Sequence, residues 1–90
     1  MANKRYLILD ICQAIHEMKE EYLNEHYSVS IVATNTVSKL RIESARVDIN
    51  SEVLIIVNYY LSEFDKILPE YADMFVSTKK FRDLYSHLQD

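Results

Sequence analysis

Apolar residues are densest between positions 51 and 68, in the run SEVLIIVNYYLSEFDKIL. Placed at about 100° per residue, they cover one continuous arc of a helical wheel, wider than the apolar stripe of most surface helices. The arc contains Val53, Leu54, Ile56, Val57, Tyr60, Leu61, Phe64, Ile67 and Leu68. This pattern predicts a core helix around which the rest of the chain packs. We expect the helix to end before Pro69, because a proline disfavours helical backbone at the residue that precedes it.

Two further segments have apolar residues at helical spacing. Residues 4–26 predict a first helix, whose inner face consists of Leu7, Ile8, Ile11, Ala14, Ile15, Met18 and Tyr22. In the last part of the chain, Phe81, Leu84, Tyr85 and Leu88 recur at i, i+3, i+4 and i+7, which predicts a helix that docks on the core. Pro69 suits the first turn of a short helix that continues to Phe75.

The segment between the first helix and the core helix shows a different period. Apolar and polar residues alternate in the run KLRIE and, except at Val32, in the run YSVSIVA, and a period of 2 is typical of β-strands. The alternation slips by one residue near Ser44, as it does at a β-bulge. We therefore predict a β-hairpin with strands at about 28–34 and 38–49 and a turn near Asn35.

An alternative for the same segment is a helix over residues 33–47. Its inward-facing stripe would consist of Ala33, Val37, Leu40, Ser44 and Val47. It leaves Ile42 outside the stripe and places several β-branched residues in a helix, each at a small cost in free energy. The absence of glycine favours this helix, because glycine is the usual residue of tight turns.

The preferred fold class is therefore a small α+β domain in the order helix, β-hairpin, long helix, short helix, helix. The alternative is an all-α bundle of four or five helices. A length of 90 residues corresponds to one domain, spanning residues 1–90.

Composition restricts the class of protein. With 49% hydrophobic and 27% charged residues, the chain matches soluble globular proteins. Cys12 has no second cysteine to pair with, and no apolar run approaches the roughly 20 residues of a membrane span. We expect a cytoplasmic protein without membrane association. The frequent use of Ile, Asn, Lys and Tyr suits an AT-rich genome, such as that of a phage or a low-GC bacterium.

No motif in the sequence indicates catalysis. Glycine-rich phosphate loops, nucleophile elbows and metalloprotease helices are all missing from the sequence, so we expect neither an enzyme nor a cofactor. Cys12, His16 and Glu20 have the residue types of zinc ligands at i, i+4 and i+8. A structural zinc site needs a fourth ligand, which the sequence does not indicate, so no metal site is expected.

Four apolar residues fall outside the inner faces of the predicted helices. Ile55 and Tyr59 lie one turn apart on the core helix among polar neighbours, and Tyr6 and Leu9 lie off the inner face of the first helix. We predict that they form one exposed patch at the centre of a protein interface, where tyrosine is a frequent hot-spot residue. Alternatively, the core helix is sandwiched and both of its residues contact the hairpin or the last helix.

Charged residues supply two further candidate surfaces. Glu17 and Glu21 belong to an acidic stripe on the first helix that would steer a basic partner. Binding of phosphate groups would require the basic residues of 39–46 and 79–82. These are Lys39, Arg41, Arg46, Lys79, Lys80 and Arg82. A net charge of −4 disfavours nucleic acid as the main partner.

These observations favour a small, non-enzymatic protein interaction module that acts as an inhibitor or adaptor. Its expected partner is another protein with a basic or apolar surface, and a homodimer is a further option. The alternative function is a nucleic-acid-binding or nucleotide-binding regulator.

Overall fold

A computed structural model describes residues 4–22, 27–46, 52–67 and 76–89 of the chain. These residues form four α-helices, named α1 (Lys4–Tyr22), α2 (Tyr27–Ser44), α3 (Glu52–Ile67) and α4 (Val76–Gln89). After α2 the chain continues into a turn, where the N–H of Arg46 donates to the carbonyl oxygen of Glu43 at 3.1 Å. None of the described residues lies in a β-strand.

The predicted β-hairpin is wrong, because α2 runs through the turn near Asn35 and most of both predicted strands. Residues 47–49 of the second strand lie outside the described residues. The buried positions of α2 recur at helical spacing and are Val29, Ala33, Thr36, Leu40, Glu43 and Ser44. The α+β fold class is therefore corrected to all-α, which was the alternative.

The positions of the apolar residues alone do not show the helical period of α2. Three of its buried residues, Thr36, Glu43 and Ser44, are polar, so the core-facing stripe does not read as apolar. Conversely, Ile31 and Ile42, which contributed to the period of 2, are 43% and 65% exposed. The helix buries a stripe that the apolar residues mark only in part.

The other three helices confirm their predictions. The described members of the inner arcs of α1 and α3 are buried or pack against the core. In α4, Phe81 and Leu88 are buried while Leu84 and Tyr85 pack against the core. Residues 23–26 of the predicted first helix and Leu68 of the predicted core helix lie outside the described residues. The short helix predicted for residues 69–75 lies outside the described residues. No described helix combines the length and hydrophobicity that a membrane span requires.

The four helices form a ring in which each contacts the next along the chain, and α1 also contacts α4. Neighbouring helices run antiparallel. At one end of the bundle the guanidinium of Arg5, in the first turn of α1, donates to the carbonyl oxygen of Arg46, just after α2. At the other end Glu21, late in α1, accepts a hydrogen bond from Ser77, early in α4. This is the up-down-up-down arrangement of a four-helix bundle, with α1 and α3 diagonally opposite.

The centre of the core is aromatic. The ring of Tyr60 on α3 lies edge-on to Phe81 of α4, with centroids 5.4 Å apart, and stacks near Phe64 at 6.3 Å. The hydroxyl of Tyr60 reaches Sδ of Met18 on α1 at 3.8 Å, across the diagonal of the bundle. These contacts connect α1, α3 and α4, and they fix which sides of the helices remain at the surface.

Candidate functional site

A groove with a volume of about 370 Å³ lies between α2 and α3. Its lining residues are Val32, Asn35, Thr36, Lys39, Ile55, Ile56 and Tyr59. Ile55 is 67% exposed and Tyr59 is 56% exposed, one helical turn apart. Both project from α3 because the opposite side of that helix is occupied by the buried Val57 and Tyr60. We call this feature the α2/α3 groove.

The walls of the α2/α3 groove are mostly apolar. Val32 and Ile56 are partly buried and pack against the core, so they form its base. Asn35 and Lys39 are exposed on α2, whereas Thr36 is only 3% exposed. Among the described lining residues, Lys39 is the one that carries a charge. The arrangement suits an apolar ligand surface with an acidic group at its edge.

Tyr6 and Leu9 do not belong to this surface. They are 66% and 41% exposed, as expected for residues off the inner face of α1. However, α1 and α3 lie at opposite corners of the bundle. The prediction of one continuous patch that includes Ile55 and Tyr59 is therefore wrong. The exposure of the two α3 residues fits an exposed patch better than a sandwiched helix, and their role in binding stays a prediction.

Glu17 and Glu21 of the predicted acidic surface face α4. A carboxylate oxygen of Glu17 lies 3.6 Å from Nζ of Lys80, and Oε2 of Glu21 accepts a hydrogen bond of 2.7 Å from the hydroxyl of Ser77. Both carboxylates therefore contribute to the contact between α1 and α4. Their steering of a basic partner stays a prediction.

The basic residues are distributed over several sides of the bundle. Arg46 pairs with Glu43 at 3.2 Å, Lys80 with Glu17, and Arg82 with Asp65. The remaining three candidates lie apart: Lys39 lines the α2/α3 groove, Arg41 lines the groove between α1 and α2, and Lys79 is exposed on α4. The structure does not bring the six together on one surface.

A second groove, between α1 and α2, has a volume of about 190 Å³ and is called the α1/α2 groove. Its lining residues are Ile15, His16, Lys19, Ala33, Thr34, Val37, Ser38 and Arg41. Of its polar members, only Arg41 belongs to a binding surface predicted from the sequence, and only His16 to the set with zinc-ligand spacing. The signal was present, since Thr34, Ser38 and Arg41 recur at i, i+4 and i+7, but it appears only when this segment is treated as a helix.

Cys12 lies beside this groove and is 3% exposed. Burial raises the pKa of its thiol from 9.0 to about 11, and the positive charge of Arg41 opposes part of that increase. Its Sγ lies 4.0 Å from the carbonyl oxygen of Val37, to which the thiol donates. Across the described ranges, no three His, Cys, Asp or Glu side chains are close enough together to hold a metal ion, so Cys12, His16 and Glu20 form no such group.

Comparison with known proteins supplies no further assignment. No protein-family model matches the chain, and neither a curated protein nor a solved structure matches it.

Proposed function

We propose that this protein is a non-enzymatic interaction module, an inhibitor or adaptor, that binds another protein through the α2/α3 groove. The observation that supports this proposal is the pair Ile55 and Tyr59. Both side chains are more than half exposed, although each is large and at least partly apolar. They stand beside a groove of about 370 Å³ into which a partner side chain fits.

The energetics of burial favour this surface. Removing an exposed isoleucine side chain from water contributes about 1.5 to 3 kcal/mol. Tyrosine adds a comparable apolar area and a hydroxyl that can donate a hydrogen bond, which is why it is enriched among hot spots. Ile55 and Tyr59 are adjacent on a regular helix, so their backbone is already ordered before a partner binds.

The chemistry of the groove indicates the kind of partner. An amphipathic helix with apolar anchors at i and i+4 would lie along the groove between α2 and α3. An acidic residue on that helix would pair with Lys39 at the edge. A second copy of the chain is the competing occupant, and measurement of the oligomeric state distinguishes the two.

Binding of nucleic acid is the less favoured function. Arg46, Lys80 and Arg82 are engaged in ion pairs within the molecule, which lowers their availability for phosphate groups. As part of the proposal, the protein acts in the cytoplasm, where a single buried thiol such as Cys12 stays reduced.

The test is a substitution on the proposed interface. Ile55→Glu places a charge in the centre of the patch and is expected to weaken the partner complex by at least about 30-fold, since a hot spot contributes 2 kcal/mol or more. Tyr59→Glu is expected to act in the same direction. The partner is captured with the wild-type chain, identified by mass spectrometry, and its affinity is then measured by calorimetry with each variant.

Tyr6→Glu is the matched control. Tyr6 is 66% exposed, nearly the same as Ile55, but it lies on α1 at another corner of the bundle. It should retain full affinity, and all three variants should melt cooperatively. If Ile55→Glu binds the partner as tightly as the wild type, or if Tyr6→Glu loses as much affinity as Ile55→Glu, the α2/α3 groove is excluded as the binding surface. Sedimentation velocity of the free chain shows whether the occupant is a second copy.

A further inference from the structure

We propose that the α1/α2 groove binds the phosphate group of a small phosphomonoester. Two helices bring nitrogen-bearing side chains to it, His16 and Lys19 from α1 and Arg41 from α2. The groove has a volume of about 190 Å³ and an apolar base that includes Ile15 and Val37. This site is independent of the partner surface proposed above, because it lies on the other side of α2.

The cations of the groove are not neutralised by described residues. The ion pairs between described residues are formed elsewhere in the bundle by other basic residues, and neither Lys19 nor Arg41 takes part in one. No carboxylate is among the described residues that line the groove. Glu20, one turn beyond His16 on α1, is exposed and is not part of the lining. The described lining residues therefore carry a positive charge, from Lys19 and Arg41, without any contribution from His16.

Two hydroxyl groups add hydrogen-bonding capacity. Oγ1 of Thr34 donates to the carbonyl oxygen of Ser30 at 3.1 Å, and Oγ of Ser38 donates to that of Thr34 at 3.1 Å. Both acceptors are neutral. A phosphate oxygen is a charged acceptor and forms a stronger hydrogen bond. Rotation of either hydroxyl proton toward the groove would supply a donor without any movement of the backbone.

The charge and shape of the site favour a monoester over a nucleic acid. A phosphomonoester carries about −1.5 to −2 charges near pH 7, which two or three clustered cations match. Each phosphodiester of a nucleic acid carries one charge, and a protein binds such a backbone through a track of basic residues that runs along it. Lys39 and Lys79 do not continue such a track, because they lie on other sides of the bundle.

The test is an NMR titration of the isotopically labelled full chain at constant ionic strength. Inorganic phosphate and glycerol 3-phosphate are added separately. The ring signals of His16 and the side-chain signals of Arg41 should move along one saturating curve. Equal affinity for both ligands would identify the phosphate group alone as the ligand, and tighter binding of glycerol 3-phosphate would identify an ester; both outcomes support the site.

Substitutions assign the binding to the groove. The double substitution Lys19→Gln with Arg41→Gln should lower the affinity at least about tenfold, because it removes both fixed charges. Lys79→Gln also removes a positive charge, but from an exposed lysine on α4, and it should leave the binding curve unchanged. Circular dichroism and melting confirm that each variant folds. The single Lys19→Gln variant replaces the double one if the latter does not fold.

Three results would overturn the proposal. The first is a set of signal shifts that do not saturate. The second is an equal loss of affinity with Lys79→Gln. The third is tighter binding of a single-stranded oligonucleotide, with shifts that extend to Lys39 and Lys79, which would indicate a nucleic-acid surface instead. Ile55→Glu should retain phosphate binding, so failure of this proposal and failure of the proposed function are distinguishable.

Discussion

Several polar side chains of α2 are buried although their residue types favour the surface. Glu43 is 7% exposed; its Oε1 accepts from Nη1 of Arg46, while its Oε2 has no hydrogen-bond partner in the described part of the chain. The hydroxyl of Ser44 donates to the carbonyl oxygen of Arg41 at 2.8 Å. Buried polar atoms are normally paired, so this end of α2 gains less from burial than an apolar stripe would.

Cys12 leads to a prediction about reactivity. Alkylation proceeds through the thiolate, and burial both raises the pKa of this thiol to about 11 and restricts access to it. At pH 8 we expect iodoacetamide to modify the folded chain at least about 100-fold more slowly than the chain in denaturant. Mass spectrometry of timed samples measures both rates. Equal rates would show that the thiol is accessible in the folded protein.

The same thiol affects stability at high pH. The unfolded chain releases this proton near pH 9.0, whereas the folded chain retains it until about pH 11. The unfolded state therefore binds fewer protons in this window, and the free energy of unfolding must fall as the pH rises from 9 to 11. The Cys12→Ala variant should show a smaller fall than the wild type in denaturant unfolding across this range. Parallel curves would contradict the assignment.

At the level of the helices, the accuracy of sequence-based prediction depended on whether polar residues occupied core positions. In α3 the buried residues Val53, Val57, Tyr60 and Phe64 are spaced 4, 3 and 4 apart, so the helix was evident from hydrophobicity. In α2 the same spacing is partly filled by Thr36 and Glu43. The exposure of Ile55 and Tyr59 was predictable because α3 was evident as a helix. The α1/α2 groove, by contrast, is predictable only when residues 27–44 are known to form a helix.

Asn35 provides a direct test of α2. It lies near the middle of this helix and is exposed, so Asn35→Pro removes a helical N–H and introduces a clash, at a cost of about 3 kcal/mol. Asn35→Ala at the same position should instead stabilise the protein by a few tenths of a kcal/mol. Thermal unfolding followed by circular dichroism measures both. A hairpin turn would tolerate the proline, so an unchanged melt would contradict the helix.

At the level of the whole molecule, the ring of four helices closes through α1 and α4. The polar interactions of described residues that stabilise this contact or the neighbouring one include Ser77 with Glu21, Lys80 with Glu17, Arg82 with Asp65, and Tyr85 with Asn58. Exposed ion pairs contribute at most about 1 kcal/mol each. The burial of Phe81, which is fully buried, is therefore the larger contribution to the docking of α4.

We accordingly expect Phe81→Ala to lower the free energy of unfolding by about 3 to 5 kcal/mol. The free energy of unfolding of a domain of this size is roughly 5 to 15 kcal/mol in total. A loss of about 3 kcal/mol or more should therefore lower the melting temperature by at least about 12 °C. Val76→Ala is the control on the same helix; Val76 is 82% exposed, and its truncation should change stability by less than about 0.5 kcal/mol. Calorimetric melting curves give both values, and similar curves for the two variants would show that α4 is not docked through Phe81.

The antiparallel contact between α1 and α4 also places the start of α1 and the end of α4 at the same end of the bundle. A short linker between them, together with a break between α1 and α2, would leave each helix beside the same two neighbours. The order of the helices along the chain would change, but the cycle of contacts would not. The fold is thus defined by a closed cycle without a required first element, and its topology is compatible with circular permutation.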